Sequence, residues 1–197
     1  MVKTTSMIMC DLDHYVNPTS RLARMVKSGE YIPIVRGLYE TDPDTPGYLL
    51  AGSIYGPSYL SFDYALGYYG MIPEAVYAFT SATYDKKKRK TYETPFGRFT
   101  YRDVPKEVYP LGVCLLKEGD YAFQIASPEK ALCDKLYELP PVGSIRGMTS
   151  LLIQDLRIEP ETLRELSRED IRQLQKSYHS TNVDLLLPAL RKINPGS

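Results

Sequence analysis

A short basic segment followed at once by a β-prone hairpin most constrains how this chain can fold. Asn17 can cap a helix, and Gly29 suits the left-handed residue that often ends one. This punctuation predicts a helix over residues 18–28. The next segment, YIPIVRGLYE, has a short β-prone run on each side of Arg36-Gly37, and glycine accepts the positive φ of a tight turn. A helix followed by a hairpin is the order of a winged helix–turn–helix.

The predicted helix has two chemically different sides. Leu22, Met25 and Val26 share one side by i, i+3, i+4 spacing. The other side is basic or hydroxylic and comprises Ser20, Arg21, Arg24, Lys27 and Ser28. Two interpretations stay open for it. It is a solvated surface, or it is the DNA-contacting side of a recognition helix in a major groove, with Arg36 at the tip of the wing.

The helix that supports a recognition helix would have to come from TTSMIMCDLDHY, residues 4–15. This segment is short for that role. It also carries Asp11 and Asp13, whose charges DNA phosphates would repel. The supporting helix is therefore the weakest element of the predicted DNA-binding unit.

The acidic, turn-rich segment ETDPDTPG marks the predicted boundary between a domain over residues 1–45 and a second over residues 46–197. The second domain is predicted to be α+β, with a mainly antiparallel sheet and C-terminal helices. Its predicted strands occupy 75–83, 97–104, 111–117 and 121–126. Its predicted helices occupy 57–73, 127–139 and three segments from about residue 148, broken at Pro160 and at YHSTN.

Overall charge excludes a global attraction to nucleic acid, because 24 basic residues balance 24 acidic ones. Only local clusters could bind an anionic partner. The longest uncharged stretch, residues 46–62, is interrupted by glycine, proline and serine, so we expect no membrane partner. Three cysteines without zinc-type spacing indicate a reduced, cytoplasmic protein.

A second basic cluster lies in YDKKKRKTYE, residues 84–93. Its consecutive cations are Lys86, Lys87, Lys88, Arg89 and Lys90. This cluster is either a solvated loop that joins two strands or a patch that neutralises DNA phosphates. In the second case affinity would fall with added salt, because each neutralised phosphate releases counterions.

Two groups of residues have the spacing of catalytic or metal-binding sites, and neither is accompanied by the further motifs or ligands that such sites need. Ser127 and Lys130 have the Ser-x-x-Lys spacing of penicillin-recognising enzymes, but Ser-Asp-Asn and Lys-Thr-Gly elements are missing, and Ser127 is equally a helix cap. Potential metal ligands cluster at Cys10, Asp11, Asp13 and His14, without the second separated pair typical of zinc sites. We expect no enzyme activity, no cofactor and no metal.

Several segments together resemble a known family. RGLYE, PSYLSFDYALGYYGMIPE, FTSAT, TPFGRFTYRDV and ASPEKALCDKLYEL occur in the order found in AbiEi-type antitoxins of bacterial type IV toxin–antitoxin systems. The resemblance runs from about residue 18 to residue 140. It implies an N-terminal winged helix–turn–helix that binds double-stranded DNA at the promoter of its own operon, and a second domain that carries antitoxicity. It also implies a cognate nucleotidyltransferase toxin.

The resemblance implies roles for residues of the first basic region. Ser20, Arg21, Arg24 and Lys27 would lie on the recognition helix and Arg36 on the wing. The sequence departs from the family at its start, where the leading helices are shortened. We therefore expect a DNA-binding antitoxin and transcriptional autorepressor. The alternative is a protein-interaction module with a vestigial winged helix that no longer binds DNA.

Overall fold

The first forty residues alternate between short strands and helices in the computed structural model, which describes residues 1–193. Their order is β1 (Lys3–Thr4), α1 (Thr5–Asp11), α2 (Pro18–Lys27), β2 (Ile32–Val35) and β3 (Leu38–Glu40). The strands pair antiparallel in the order β1-β3-β2. Two helices followed by a hairpin give this region the predicted winged helix–turn–helix arrangement.

Local chemistry explains where α2 begins and where the wing turns. The Asn17 side chain accepts a hydrogen bond of 3.0 Å from the Ser20 amide, so it is the predicted cap. Gly29 has a φ of +80° just past the helix. Gly37 has a φ of +83° in the turn between β2 and β3, a conformation that favours glycine. The predicted helix and the predicted turn are both confirmed.

A small apolar cluster holds the two N-terminal helices together. Ile8 of α1 and Leu12, the residue just after it, pack with Leu22 and Met25 of α2. Tyr31 is the fifth buried residue of this cluster. The apolar side predicted for α2 is therefore buried. Its polar side is left on the outside, because a helix that buries one face exposes the opposite one.

The remaining described residues form a six-stranded sheet with the order β6-β7-β5-β4-β9-β8 and helices around it. The first elements are a 3-10 turn (Gly47–Leu50), α3 (Ala51–Ile54), β4 (Tyr59–Leu60), α4 (Phe62–Tyr68), β5 (Ala78–Thr83), β6 (Lys90–Thr94) and β7 (Gly97–Asp103). Then follow β8 (Val113–Glu118), β9 (Tyr121–Ala126), α5 (Pro128–Glu138), α6 (Ile145–Ser150), a π-helical turn (Leu151–Asp155), α7 (Pro160–Glu165), α8 (Arg168–Tyr178) and α9 (Thr181–Ile193).

The predicted α+β class is confirmed, and the sheet is mixed. The pairs β6–β7, β5–β4 and β9–β8 are antiparallel, whereas β7–β5 and β4–β9 are parallel. The parallel pair β7–β5 arises because the chain leaves β5, runs outward to the edge as β6 and returns as β7 beside β5. The four predicted strands correspond to β5, β7, β8 and β9, whereas β4 and β6 were not predicted. The sequence pattern also does not show which strands become neighbours.

The predicted helix over 57–73 is wrong in its first part. Tyr59 and Leu60 form a strand that pairs with Ala82 and Ser81, and the helix begins only at Phe62. Cross-strand pairing in the middle of the sheet therefore overrides the helical pattern at these positions. Elsewhere the predicted helix over 127–139 matches α5. The C-terminal region begins its helices at Ile145 rather than near 148, and its described part, residues 145–193, contains four α-helices where three helical segments were predicted.

The two faces of the sheet pack against different parts of the chain. The Tyr101 hydroxyl of β7 donates a 2.7 Å hydrogen bond to the Ala51 carbonyl, so the face that carries Tyr101 packs against the segment that contains α3. The next residue of β7, Arg102, forms an ion pair with Glu138 at the end of α5 on the other face. Alternating side chains of β7 thus join two layers. None of the helices described in residues 1–193 is both long and apolar enough to cross a membrane.

A buried carboxylate fastens the N-terminal hairpin to the sheet. Glu40 is fully buried and accepts hydrogen bonds from the Tyr121 hydroxyl at 2.7 Å, from the amides of Thr41 and Asp42, and from the Met1 ammonium group. Burial alone would raise the pKa of Glu40, but these hydrogen bonds outweigh burial and leave that pKa lowered. The charged form is therefore the one that the fold prefers.

Apolar contacts reinforce this junction. Ile34 and Leu38 of the hairpin belong to the same core as the large sheet, and β2 lies against β6. The cluster around Ile8 stays separate from that core. The division of the chain into domains 1–45 and 46–197 remains a prediction.

We predict that Glu40→Gln destabilises the protein at neutral pH and that this difference shrinks in acid. The folded-state pKa of Glu40 lies below its unfolded value of about 4.3, so its stabilisation is complete above that value and is lost as pH falls through the folded pKa. Urea unfolding of both proteins from pH 7 to pH 3 measures the difference. A difference that does not change with pH would show that the charge of Glu40 does not contribute.

Candidate nucleic-acid interface

The outward side of α2 carries the predicted contact residues. Ser20, Arg24 and Lys27 are exposed, on the side away from the buried Leu22 and Met25. Within residues 1–193, Arg24 and Lys27 take part in no ion pair. Both lie in the last turn of α2, where the helix dipole favours cations, so their presence also stabilises the helix itself. Their charges remain available to an anion in solution.

Arg21 is placed differently from the other two cations of α2. Its guanidinium lies 5.2 Å from the ring centre of Tyr15, and its Nε is buried without a hydrogen-bond partner among the described residues. Such a cation–π contact contributes about 0.5–1 kcal/mol at an exposed site. Arg21 therefore packs against the connection between α1 and α2, a contact that helical spacing could not reveal.

The wing is anchored and its tip is exposed. The Thr5 amide donates a 2.9 Å hydrogen bond to the Gly37 carbonyl, which ties the turn to the start of α1. Arg36 is exposed in that turn and makes no ion pair with any other described residue. An arginine held at a fixed turn beside a helix is well placed to contact a phosphate.

The two acidic residues near α2 have different surroundings. Asp11 pairs with Lys3 at 2.5 Å, so its charge is compensated locally. Asp13 is exposed, and its nearest ionisable neighbour is His14, at 3.8 Å. Repulsion of DNA phosphates therefore comes mainly from Asp13. The connection that contains it, residues 12–17, is longer than the three or four residues typical of a helix–turn–helix.

The five cations of the second cluster make different contacts. Lys86 donates to the Gly56 carbonyl at 3.1 Å and lies 5.2 Å from the ring centre of Tyr55. Arg89 lies 3.4 Å from Glu138. The cluster forms most of the loop between β5 and β6, and its last residue, Lys90, is the first residue of β6. β6 also packs beside β2 of the hairpin.

Three residues of the cluster, Lys87, Lys88 and Arg89, line a cleft. The Lys87 amide donates to Asp103 at 2.6 Å, and its φ is +56°. Lys87 and Lys88 line a cavity together with Arg89, and neither lysine has an ion-pair partner in the described part of the chain. The predicted patch is therefore partly neutralised at one end and concave at its centre.

The Ser-x-x-Lys spacing serves folding in this structure. Ser127 accepts a hydrogen bond of 3.2 Å from the Lys130 amide, so it caps α5. The Lys130 ammonium group points elsewhere: it donates to Asp134 at 3.0 Å and to the Tyr178 hydroxyl at 2.7 Å. The cap interpretation is confirmed for Ser127, and Lys130 is not placed to act as its base.

A buried polar network surrounds Asp134 and was not predicted. The Oδ2 atom of Asp134 accepts hydrogen bonds from the Tyr59 hydroxyl at 3.0 Å and from the Ser61 hydroxyl at 2.6 Å. The Oδ1 atom accepts hydrogen bonds from Lys130 and from Tyr178. All five side chains are buried. Burial lowers the pKa of Lys130, although Asp134 opposes this shift. Helical spacing shows that Lys130 and Asp134 are neighbours, but nothing local shows that Tyr59 and Tyr178 meet them.

The residues considered for a metal do not come together. Asp11 is engaged by Lys3, and the His14 ring lies 4.3 Å from that of Tyr15. Within the described part of the chain, no group of three His, Cys, Asp or Glu side chains is arranged to hold a metal ion.

Comparisons with known proteins identify a similar fold. No protein-family model and no curated protein matches the sequence. Among solved structures, the chain is similar to the crystal structure of the RV2827C protein from Mycobacterium tuberculosis, with a TM-score of 0.59 and 12% sequence identity. The match covers 98% of this chain and 72% of that one. At this identity the likeness concerns the fold alone, and it extends over the N-terminal helices as well as the sheet.

We predict that Lys130→Met costs roughly 3–5 kcal/mol of unfolding free energy, because it leaves the buried Asp134 carboxylate without its cation. Adding Asp134→Asn should recover part of this loss, since the uncompensated charge is removed. Lys117→Met, at an exposed lysine of β8, should stay within about 0.5 kcal/mol of the wild type. Chemical denaturation measures all three. A loss below about 1 kcal/mol for Lys130→Met would contradict a structural role for the pair.

Proposed function

We propose that this protein binds double-stranded DNA at the promoter of its own operon and acts as an antitoxin and transcriptional autorepressor. One observation carries the DNA-binding part. The buried side of α2 fixes the helix to the N-terminal cluster, and the opposite side presents Ser20, Arg24 and Lys27 to solvent beside a wing that carries Arg36. This is the side that a recognition helix turns toward a major groove.

The dimensions and chemistry of α2 fit that role. A helix of ten residues is about 15 Å long and about 10–12 Å wide with its side chains, and a major groove about 12 Å wide admits it. Arg24 and Lys27 can neutralise phosphates, and Ser20 can hydrogen-bond to bases or phosphates. The chain is electrically balanced overall, so binding would depend on this local excess of positive charge.

The antitoxin part of the proposal rests on the resemblance to AbiEi-type antitoxins. The segments that carry it, PSYLSFDYAL and SPEKALCD, supply Tyr59, Ser61, Lys130 and Asp134 to the buried network. The resemblance therefore falls on residues that hold the fold together, and it supports a shared architecture. By this proposal the partner is a cognate nucleotidyltransferase toxin, and the protein acts in the cytoplasm.

A second candidate function is a protein-interaction module with a winged helix that no longer binds DNA. Specific observations favour it: Arg21 packs against Tyr15, and Asp13 is exposed near the start of α2. The contact with Tyr15 holds Arg21 against the protein, and the Asp13 carboxylate lowers the positive potential near α2. The two candidates differ in one measurable property, which is salt-dependent binding to duplex DNA.

We predict that Arg24→Ala combined with Lys27→Ala weakens binding to duplex from the protein's own upstream region without changing the fold. Each lost phosphate contact should lower the salt slope by about 1, so the pair should lower it by about 2. Fluorescence anisotropy between 50 and 200 mM salt, roughly the range over which such binding changes most, measures both affinity and slope.

The matched control changes two exposed lysines of the larger sheet region, Lys106→Ala with Lys117→Ala. It removes the same amount of charge and should leave affinity and slope close to wild type. Equal weakening by both double variants would contradict a specific role for α2. If the wild-type protein itself binds no duplex, the interaction-module function is favoured instead.

A further inference from the structure

A cleft with a cavity volume of about 410 Å³ opens where the β5–β6 loop meets the ends of β7 and α5. The loop contributes Lys87, Lys88 and Arg89, and β7 contributes Arg102. The last turn of α5 contributes Tyr137. The volume falls within the range of small-molecule sites, about 300–1,000 Å³.

The cleft has an excess of two positive charges, because four cationic and two carboxylate side chains line it. Both carboxylates are already engaged. Glu138 is shared between Arg102 and Arg89, and Asp103 accepts hydrogen bonds from the Thr83 hydroxyl and the Lys87 amide. Glu138 compensates only one of its two arginines, and Asp103, held by neutral donors, offsets one further charge, so the cleft keeps the excess of two charges that a dianionic group would neutralise.

Two contacts hold the Arg102 side chain in place at the cleft. The Arg102 guanidinium lies 4.5 Å from the ring centre of Phe62, which is buried, and its ion pair with Glu138 fixes the planar group in place. Phe62 and Lys87 both have positive φ values, +55° and +56°, which are costly for residues other than glycine. Such strained residues cluster at ligand-binding sites, because the surrounding structure holds them in a fixed arrangement.

We propose that this cleft binds a nucleotide, with its phosphate group against Lys87, Lys88 and Arg102 and its base against Tyr137. Arginine and lysine are the side chains that hold phosphates in proteins, and a tyrosine ring offers a flat surface on which a base can stack. The Tyr137 side chain is 40% exposed, so one part of the ring is open to a ligand while another contacts Tyr178.

This inference goes beyond the proposed function. Reading bases in the major groove of a duplex uses a helix or ribbon that enters the groove, whereas a cleft of this size accepts a single nucleotide unit. The nucleotide is either free or the 5′-phosphorylated end of a strand, and both present the same phosphate and base.

Isothermal titration calorimetry of the full chain tests the proposal. The probes are inorganic phosphate, the nucleoside 5′-monophosphates, and one single-stranded oligonucleotide with and without a 5′-phosphate. We expect saturable binding of at least one monophosphate, at least tenfold weaker in Lys87→Ala/Lys88→Ala. The matched control Lys106→Ala/Lys117→Ala should bind as the wild type does. Tyr137→Ala should weaken binding of the nucleotide but not of inorganic phosphate.

The oligonucleotide distinguishes the two sources of the ligand. Tighter binding of the 5′-phosphorylated strand than of any monophosphate supports a strand end, and the reverse order supports a free nucleotide. Arg24→Ala/Lys27→Ala should leave nucleotide binding intact, so failure of DNA binding by α2 and failure of the cleft are separate results.

Three results would overturn the proposal. The first is no saturable binding of any phosphate-containing probe by the wild-type protein. The second is equal binding by the wild type and Lys87→Ala/Lys88→Ala. The third is inorganic phosphate binding as tightly as every nucleotide, with no effect of Tyr137→Ala.

Discussion

The buried contact between Lys130 and Asp134 is the constraint on which the larger part of the structure depends. Both side chains are fully buried, and charges in such surroundings persist only when they are paired and fully hydrogen-bonded. Their partners come from β4 through Tyr59, from the residue before α4 through Ser61, and from α8 through Tyr178. A sheet strand, α5 and a C-terminal helix must therefore meet at one point. Glu129, next to Lys130 in α5, adds a second link to the C-terminal helices because it accepts a hydrogen bond of 2.9 Å from the Ser167 amide.

Local features of the fold could be predicted from the sequence, and long-range ones could not. The cap at Asn17, the turn at Gly37 and the cap at Ser127 depend on side chains within a few positions, so their chemistry is visible in the sequence. The strand at Tyr59–Leu60 exists because β5 and β9 pair with it, and neither partner is near in sequence. The network around Asp134 requires the same distant contacts.

The candidate site shows the same division. Helical spacing correctly placed Arg24 and Lys27 opposite the apolar side of α2, but it grouped Arg21 with them, whereas Tyr15 in the preceding connection draws Arg21 toward itself. The cluster at residues 86–90 reads in sequence as one uniform basic segment. In the structure Lys86 packs on Tyr55, Arg89 pairs with Glu138, and Lys87 and Lys88 line a cleft. The two basic regions thus differ: α2 and the wing expose their cations to solvent, and the β5–β6 loop borders a cavity.

The most direct measurement of DNA binding by the winged helix is the mapping of backbone amide chemical shifts in ¹⁵N-labelled protein as duplex from its own upstream region is added. The proposed interface predicts that the largest changes occur along Ser20–Lys27 and at the wing residues Arg36 and Gly37, and that residues of α5 around the buried Asp134 change little. No change on addition of duplex, or changes that are largest outside α2 and the wing, would contradict the proposal that this surface contacts DNA.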